Sequence, residues 1–178
     1  EETVRHFEGW ASRHSHRGPY REAVTRSLLV LRLLTDELRG GIVAAPTTSL
    51  PEDIGGERNW DYRYCWLRDA SLTLEALLGC GYVDETRLWR SWLVRALAGD
   101  PADLQIMYAV DGGRELPERE LDHLPGYEGS RPVRVGNGAV CTSGGVVCKP
   151  GIVTSVVETA EQLLDQRHLD AASRAELL

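Results

Sequence analysis

The sequence predicts a mainly α-helical domain, an α/α barrel whose long loops gather at one end to build the site. Three observations carry that prediction. Apolar residues recur at helical spacing over 20–39, over 70–80, between Asp84 and Asp100, and again from Ile152. No strand pattern repeats along the chain. The segments joining the helices are long and rich in Pro and Gly, and loops of that kind in a compact domain are usually functional or disordered.

Taken in order, residues 1–18 are polar and mixed and read as a linker, with His6, His14 and His16 scattered through them. The pair His14 and His16 lacks a carboxylate partner, so a solvated surface is expected there and no metal site. Pro19 stands where a helix would begin, and Tyr20 to Arg39 reads as one long helix closed by Gly40 and Gly41. Its middle, SLLVLRLL, is apolar on most sides, which predicts burial. Pro46 and Pro51 forbid helix in the next stretch, which reads as a short strand and then an irregular loop.

Ala70 to Cys80 is the second helix, with Gly79 and Gly81 around its end. Asp84 reads as the N-cap of a third, on which Leu88, Trp89, Trp92, Leu93, Ala96 and Leu97 form an apolar stripe. Arg87, Arg90 and Arg95 turn outward, and Asp100-Pro101 closes the helix. LQIMYAVDGG alternates like a strand and ends in a turn at 111–113. The Pro- and Gly-rich loop after it carries Glu115, Glu118, Glu120, Asp122 and His123, candidates for acid–base work or simply a solvated acidic loop.

Composition narrows the function classes. A net charge of −7 without any basic run argues against a nucleic-acid partner. No apolar run is long enough to span a bilayer, so no membrane partner is expected. Cys65, Cys80, Cys141 and Cys148 lack the spacing of a zinc site or a disulfide framework. Free thiols, no metal and a cytoplasmic setting follow as expectations.

The stretch Gly55 to Ser71, GGERNWDYRYCWLRDAS, is the most informative. Trp60, Tyr62, Tyr64 and Trp66 stand at every second position, so an extended backbone puts the four rings on one face and Asp61, Arg63 and Cys65 on the other. The row leads to Arg68 and Asp69 at a helix start. Ring faces beside a guanidinium and a carboxylate suit a sugar: the rings pack on its C–H face while the charged groups bind its hydroxyls. The alternative is a buried aromatic strand, with Asp69 as an N-cap and Arg68 paired to a carboxylate.

The segments APTTSLPEDIGGERNWDYRYCWLRDA and LQIMYAVDGGRELPERELDHLPGYEGSRPVRVGN closely resemble the glycoside hydrolases of family 15, the glucoamylases and trehalases. YREAVTRSLLVLRLLT also resembles that family's first barrel helix, and the likeness runs from about Pro19 to Gly138. The resemblance implies a six-hairpin α/α barrel, no cofactor, and inverting hydrolysis of an α-glucoside or trehalose substrate. It implies that Arg68 and Asp69 hold the non-reducing glucose in the first subsite, with Tyr62 and Trp66 as the adjacent aromatics.

An inverting mechanism needs a general acid and a general base with carboxyls roughly 6.5–9.5 Å apart. In the family the acid lies in a downstream glycine–hydrophobic–tryptophan–glutamate segment and the base near the end of the barrel. This sequence holds neither segment, so no catalytic residue is assigned. Residues 19–138 are therefore expected to be the N-terminal part of the barrel, and 139–178 a divergent or disrupted continuation, helical from Ile152. The chain reads as a truncated piece with an altered joint at 139–151. Two classes stay open: a glycosidase segment needing a partner chain or the missing barrel half, or a non-catalytic, sugar-binding remnant. Half a barrel should also leave the helix Tyr20–Arg39 and the Trp89/Trp92 stripe partly uncovered.

Overall fold

A computed structural model describes residues 1–48, 50–98 and 105–136. Among them the chain is mainly helical, with four α-helices and two two-stranded antiparallel ribbons. The helices are α1 (Glu2–Ala11), α2 (Arg21–Leu33), α3 (Leu67–Gly79) and α4 (Val83–Ala96). Strand β1 (Cys65–Trp66) pairs with β2 (Met107–Tyr108), and β3 (Arg119–Glu120) pairs with β4 (Arg134–Val135). The α-rich expectation holds, and the strand expected over 104–113 shortens to β2. The turn expected at 111–113 is present, with Gly112 N–H donating to the Ala109 carbonyl at 2.8 Å and Gly113 N–H to Asp111 Oδ1 at 2.9 Å.

The main core lies between α3 and α4. Leu67, Ala70 and Leu74 of α3 meet Trp89, Trp92, Leu93 and Ala96 of α4, sealed by Ile42, Cys65 and Tyr108. Trp89 and Trp92 are 0% and 1% exposed, so the expectation that this stripe would lie partly uncovered is corrected. Residues outside the helices do the covering: Tyr108 stands edge-on to Trp92 at 6.1 Å, and Trp92 Nε1 donates to the Val110 carbonyl at 2.9 Å. Arg87, Arg90 and Arg95 face solvent, as the stripe required.

Further local differences from the sequence reading concern the helices. Residues 1–18, read as a linker, carry α1, whose buried Trp10 stacks on Tyr82 with ring centroids 4.1 Å apart. Helix α2 ends at Leu33, not Arg39. There the Asp36 carboxylate accepts the N–H groups of Leu38 at 2.8 Å and Arg39 at 2.9 Å, a side-chain alternative to the helical ladder. A tight loop follows, closed by the Thr35–Ile42 bridge. It needs glycine at Gly40, where φ is +91° and a Cβ would stand 2.5 Å from the Leu88 carbonyl oxygen.

The burial expected for α2 is corrected, whereas the partly uncovered face expected for this helix in half a barrel is present. Leu28 is its one buried side chain, while Val30 and Leu33 are 48% and 66% exposed. Helix α3 begins at Leu67, three residues before the expected Ala70, with Trp66 at its N-cap position. Helix α4 begins at Val83 with Tyr82 at the cap position, so Asp84 lies in the first turn and pairs with Arg87 at 3.3 Å. The expected close at Asp100-Pro101 lies outside the described residues, as do Cys141, Cys148 and the helix expected from Ile152.

Candidate functional site

The aromatic stretch is held down by its backbone and its odd-numbered side chains. Ala44 and Ala45 donate to the carbonyls of Tyr64 and Tyr62 at 2.9 and 3.0 Å. Cys65 points into the core, and burial pushes its thiol up to about 12, so the sulfur stays protonated and inert. The Asp61 carboxylate is also buried and takes two bonds from the Arg63 guanidinium, at 3.0 and 2.8 Å, and one from the Arg63 N–H. Burial alone would raise its pKa, but those bonds and the adjacent charge outweigh burial and hold it below the usual carboxylate range.

With Asp61 and Cys65 turned inward, Trp60, Tyr62, Tyr64 and Trp66 are left half-buried. A fully buried aromatic strand, the plainer alternative, is not what the chain forms. The rings of Tyr62 and Trp66 lie 6.2 Å apart at 42°. The Arg68 guanidinium sits 5.6 Å from the Trp66 ring centroid, and its Nε and Nη2 reach Asp69 Oδ2 at 3.2 and 3.1 Å. Tyr62, Trp66, Arg68 and Asp69 thus form one continuous cluster in which each side chain touches the next.

Asp69 is not an N-cap. It is the third residue of α3, and the helix has no side-chain cap bond. A carboxylate in the first turn still gains from the helix dipole, about 0.3–1 kcal/mol. The Arg68–Asp69 pair is 69% and 37% exposed at its side chains. Such a solvent-screened pair adds at most about 1 kcal/mol. Stability therefore does not explain why the two charges stand together beside a row of rings.

The acidic loop resolves differently. Glu118 and Glu120 do not stand apart as free carboxylates: Arg134 binds both, Nε to Glu118 at 3.2 Å and Nη2 to Glu120 at 3.0 Å. Glu115, Asp122 and His123 are exposed. Sequence reasoning missed Arg134 because its partners lie 14 or more residues away in the chain, and only the R-P-V-R run marked the place. His14 is buried rather than solvated, bonded through Nε2 to Thr25 Oγ1 at 3.0 Å, and His16 bonds the Pro19 carbonyl. Among the described residues no group of three or more His, Cys, Asp or Glu side chains has a geometry that could hold a metal ion. Cys65 and Cys80 are both free, and no described helix is long and apolar enough to cross a membrane.

Comparison with known proteins agrees with the extent of the resemblance. Residues 18–141 match the family described as glycosyl hydrolases family 15. The trehalase of Thermoplasma acidophilum is 45% identical over 140 residues, which is 79% of this chain and 24% of that enzyme. That of Mycolicibacterium smegmatis is 49% identical over 124 residues, 68% of this chain and 19% of its own length. Trehalase 1 of Sulfolobus acidocaldarius is 52% identical over 102 residues, 56% of this chain and 18% of that enzyme. No solved structure matches. The alignments thus span less than a quarter of each relative's length. Since the family match takes in the aromatic stretch, α2 to α4 and the acidic loop together, this chain belongs to family 15 of the glycosyl hydrolases.

Proposed function

We propose that this chain is a segment of an inverting glycoside hydrolase acting on α-linked glucose, with trehalose as the favoured substrate. Its part is to hold the non-reducing glucose in the first subsite. The observation that carries the reading is the continuous cluster of Tyr62, Trp66, Arg68 and Asp69. Trehalose is favoured because the similar relatives are named trehalases. A cytoplasmic setting is supported by the free Cys65 and Cys80.

The chemistry divides between this segment and carboxylates elsewhere. In inversion a general acid gives its proton to the glycosidic oxygen as the C1–O bond breaks. A water attacks C1 from the opposite face and gives a proton to the general base. Asp69 accepts a glucose hydroxyl and Arg68 donates to one, while the Tyr62 and Trp66 rings cover the C–H face. Positive charge grows on the sugar ring in the transition state, so a carboxylate that holds the ring gains there and aids the chemical step.

Glu118 and Glu120 do not supply the acid. A general acid must be free to reach the glycosidic oxygen, and these two side chains are instead both engaged by a single arginine. Their bonds, Glu120 first, with burial opposing, push the Arg134 ionisation further up. The 178-residue chain alone is therefore expected to release no glucose from trehalose or maltose, measured by direct assay of the purified chain. Sustained release that Glu118→Gln abolishes would place the catalytic carboxylates within this segment and overturn the reading.

A further inference from the structure

Arg134 joins pieces of chain that are far apart in sequence. Its N–H donates to the Asn59 carbonyl at 2.8 Å, and its own carbonyl accepts the Asp61 N–H at 3.0 Å. Between those two bonds stands Trp60, whose ring centroid lies 5.3 Å from the Arg134 guanidinium. The other side of the same guanidinium binds Glu118 and Glu120. One side chain, 29% exposed, thus fastens the acidic loop to the start of the aromatic row.

The contacts continue toward the cluster. Asp61, gripped by the Arg134 carbonyl, is buried and binds Arg63 through both carboxylate oxygens. Tyr62 lies between these two fixed residues, and its ring meets Trp66. The Arg134 main chain thus holds the backbone before Tyr62, and the Asp61–Arg63 pair holds it on either side, while the Arg134 side chain meets the row at the Trp60 ring.

We propose that Arg134 is a positioning residue for the glucose-holding cluster, fixing the Trp60–Asp61 end of the aromatic row and locking the acidic loop against it. The inference rests on reading Tyr62, Trp66, Arg68 and Asp69 as the glucose site. Ordinary surface ion pairs do not account for the arrangement, since each adds at most about 1 kcal/mol. Lysine would keep the charge, but it lacks the planar fork that serves two carboxylates and a ring face together.

The test is kinetic, in the full-length enzyme, at a temperature well below each variant's melting point. Arg134→Ala and Arg134→Lys are both expected to lower kcat/KM for trehalose by roughly tenfold or more. Arg134→Ala combined with Trp60→Ala is expected to lose little more than Trp60→Ala alone, because the side chain reaches the row through that ring. Unchanged kcat/KM per folded molecule, whatever the melting point, would overturn the proposal, as would additive losses in the double variant. Should Arg134→Ala fail to fold, Arg134→Lys and its combination with Trp60→Ala decide the matter alone. Full activity in Asp69→Ala would instead sink the glucose-site reading, a result that does not involve Arg134.

Discussion

Asp69→Ala in the full-length enzyme is expected to lower kcat/KM roughly 100-fold while changing stability by about 1 kcal/mol or less. Asp69 makes no cap bond, and its partner Arg68 is mostly exposed, so the fold loses little without it. A hydrogen bond to a charged group is worth about 1.5–3 kcal/mol, and a factor of ten in rate is 1.36 kcal/mol. One such bond, tightening as charge develops on the sugar, gives the expected size. Kinetics and thermal melting measured on the same preparation separate the two effects. A variant that melts early but turns over normally would make Asp69 an ordinary first-turn carboxylate.

The second large effect is on stability and lies away from the site. Glu85 is buried where α1 meets the start of α4, and its Oε1 accepts Trp10 Nε1 at 2.6 Å and Arg13 Nη2 at 2.8 Å. Arg13 also lies 5.5 Å from the Tyr82 ring centroid, and Arg32 lies 5.6 Å from that of Trp10. Glu85→Ala would strand the buried Trp10 donor and open a gap beside the Trp10–Tyr82 stack. The Arg13 end is half exposed, so its Coulomb share is discounted. The remaining loss is expected to be about 3 kcal/mol. Glu85→Gln keeps an acceptor for the indole and should cost only about 1 kcal/mol. Urea unfolding of the chain and both variants measures this directly, and equal small losses would mean α1 is not held through Glu85.

The contrast between these two places explains what could be read from the sequence. The α4 stripe was legible because Trp89, Trp92, Leu93 and Ala96 all pack against one neighbour, and a shared face leaves a period in the chain. The alternation of the aromatic row was legible for the same reason, with Asp61 and Cys65 inward and the rings half-buried. Helix α1 carries only a short period, Val4, Phe7 and Ala11 among polar residues, and it is easily passed over because burial is confined to Trp10 and Ala11 at its end. The end of α2 was hidden in Asp36, a residue that is common on helix surfaces and here bends the chain through its own carboxylate. The start of α3 carried no polar cap, since Trp66 occupies that position.

The candidate site divides along the same line. Tyr62, Trp66, Arg68 and Asp69 are close in sequence, so local geometry sufficed to bring them together. Arg134 is not, and pairing across a loop closure leaves no local pattern. Its two carboxylate partners were legible as candidates for chemistry, but their role as an arginine's ligands was not.

The central claim is that this segment holds the glucose, and locating bound sugar tests it most directly. A crystal structure of the full-length enzyme soaked with glucose is expected to show the sugar ring against Trp66 and Tyr62. Its hydroxyls should lie about 2.7–3.2 Å from Asp69 and Arg68. Glucose bound elsewhere in the barrel, with Arg68 and Asp69 still paired only to each other, would contradict the account.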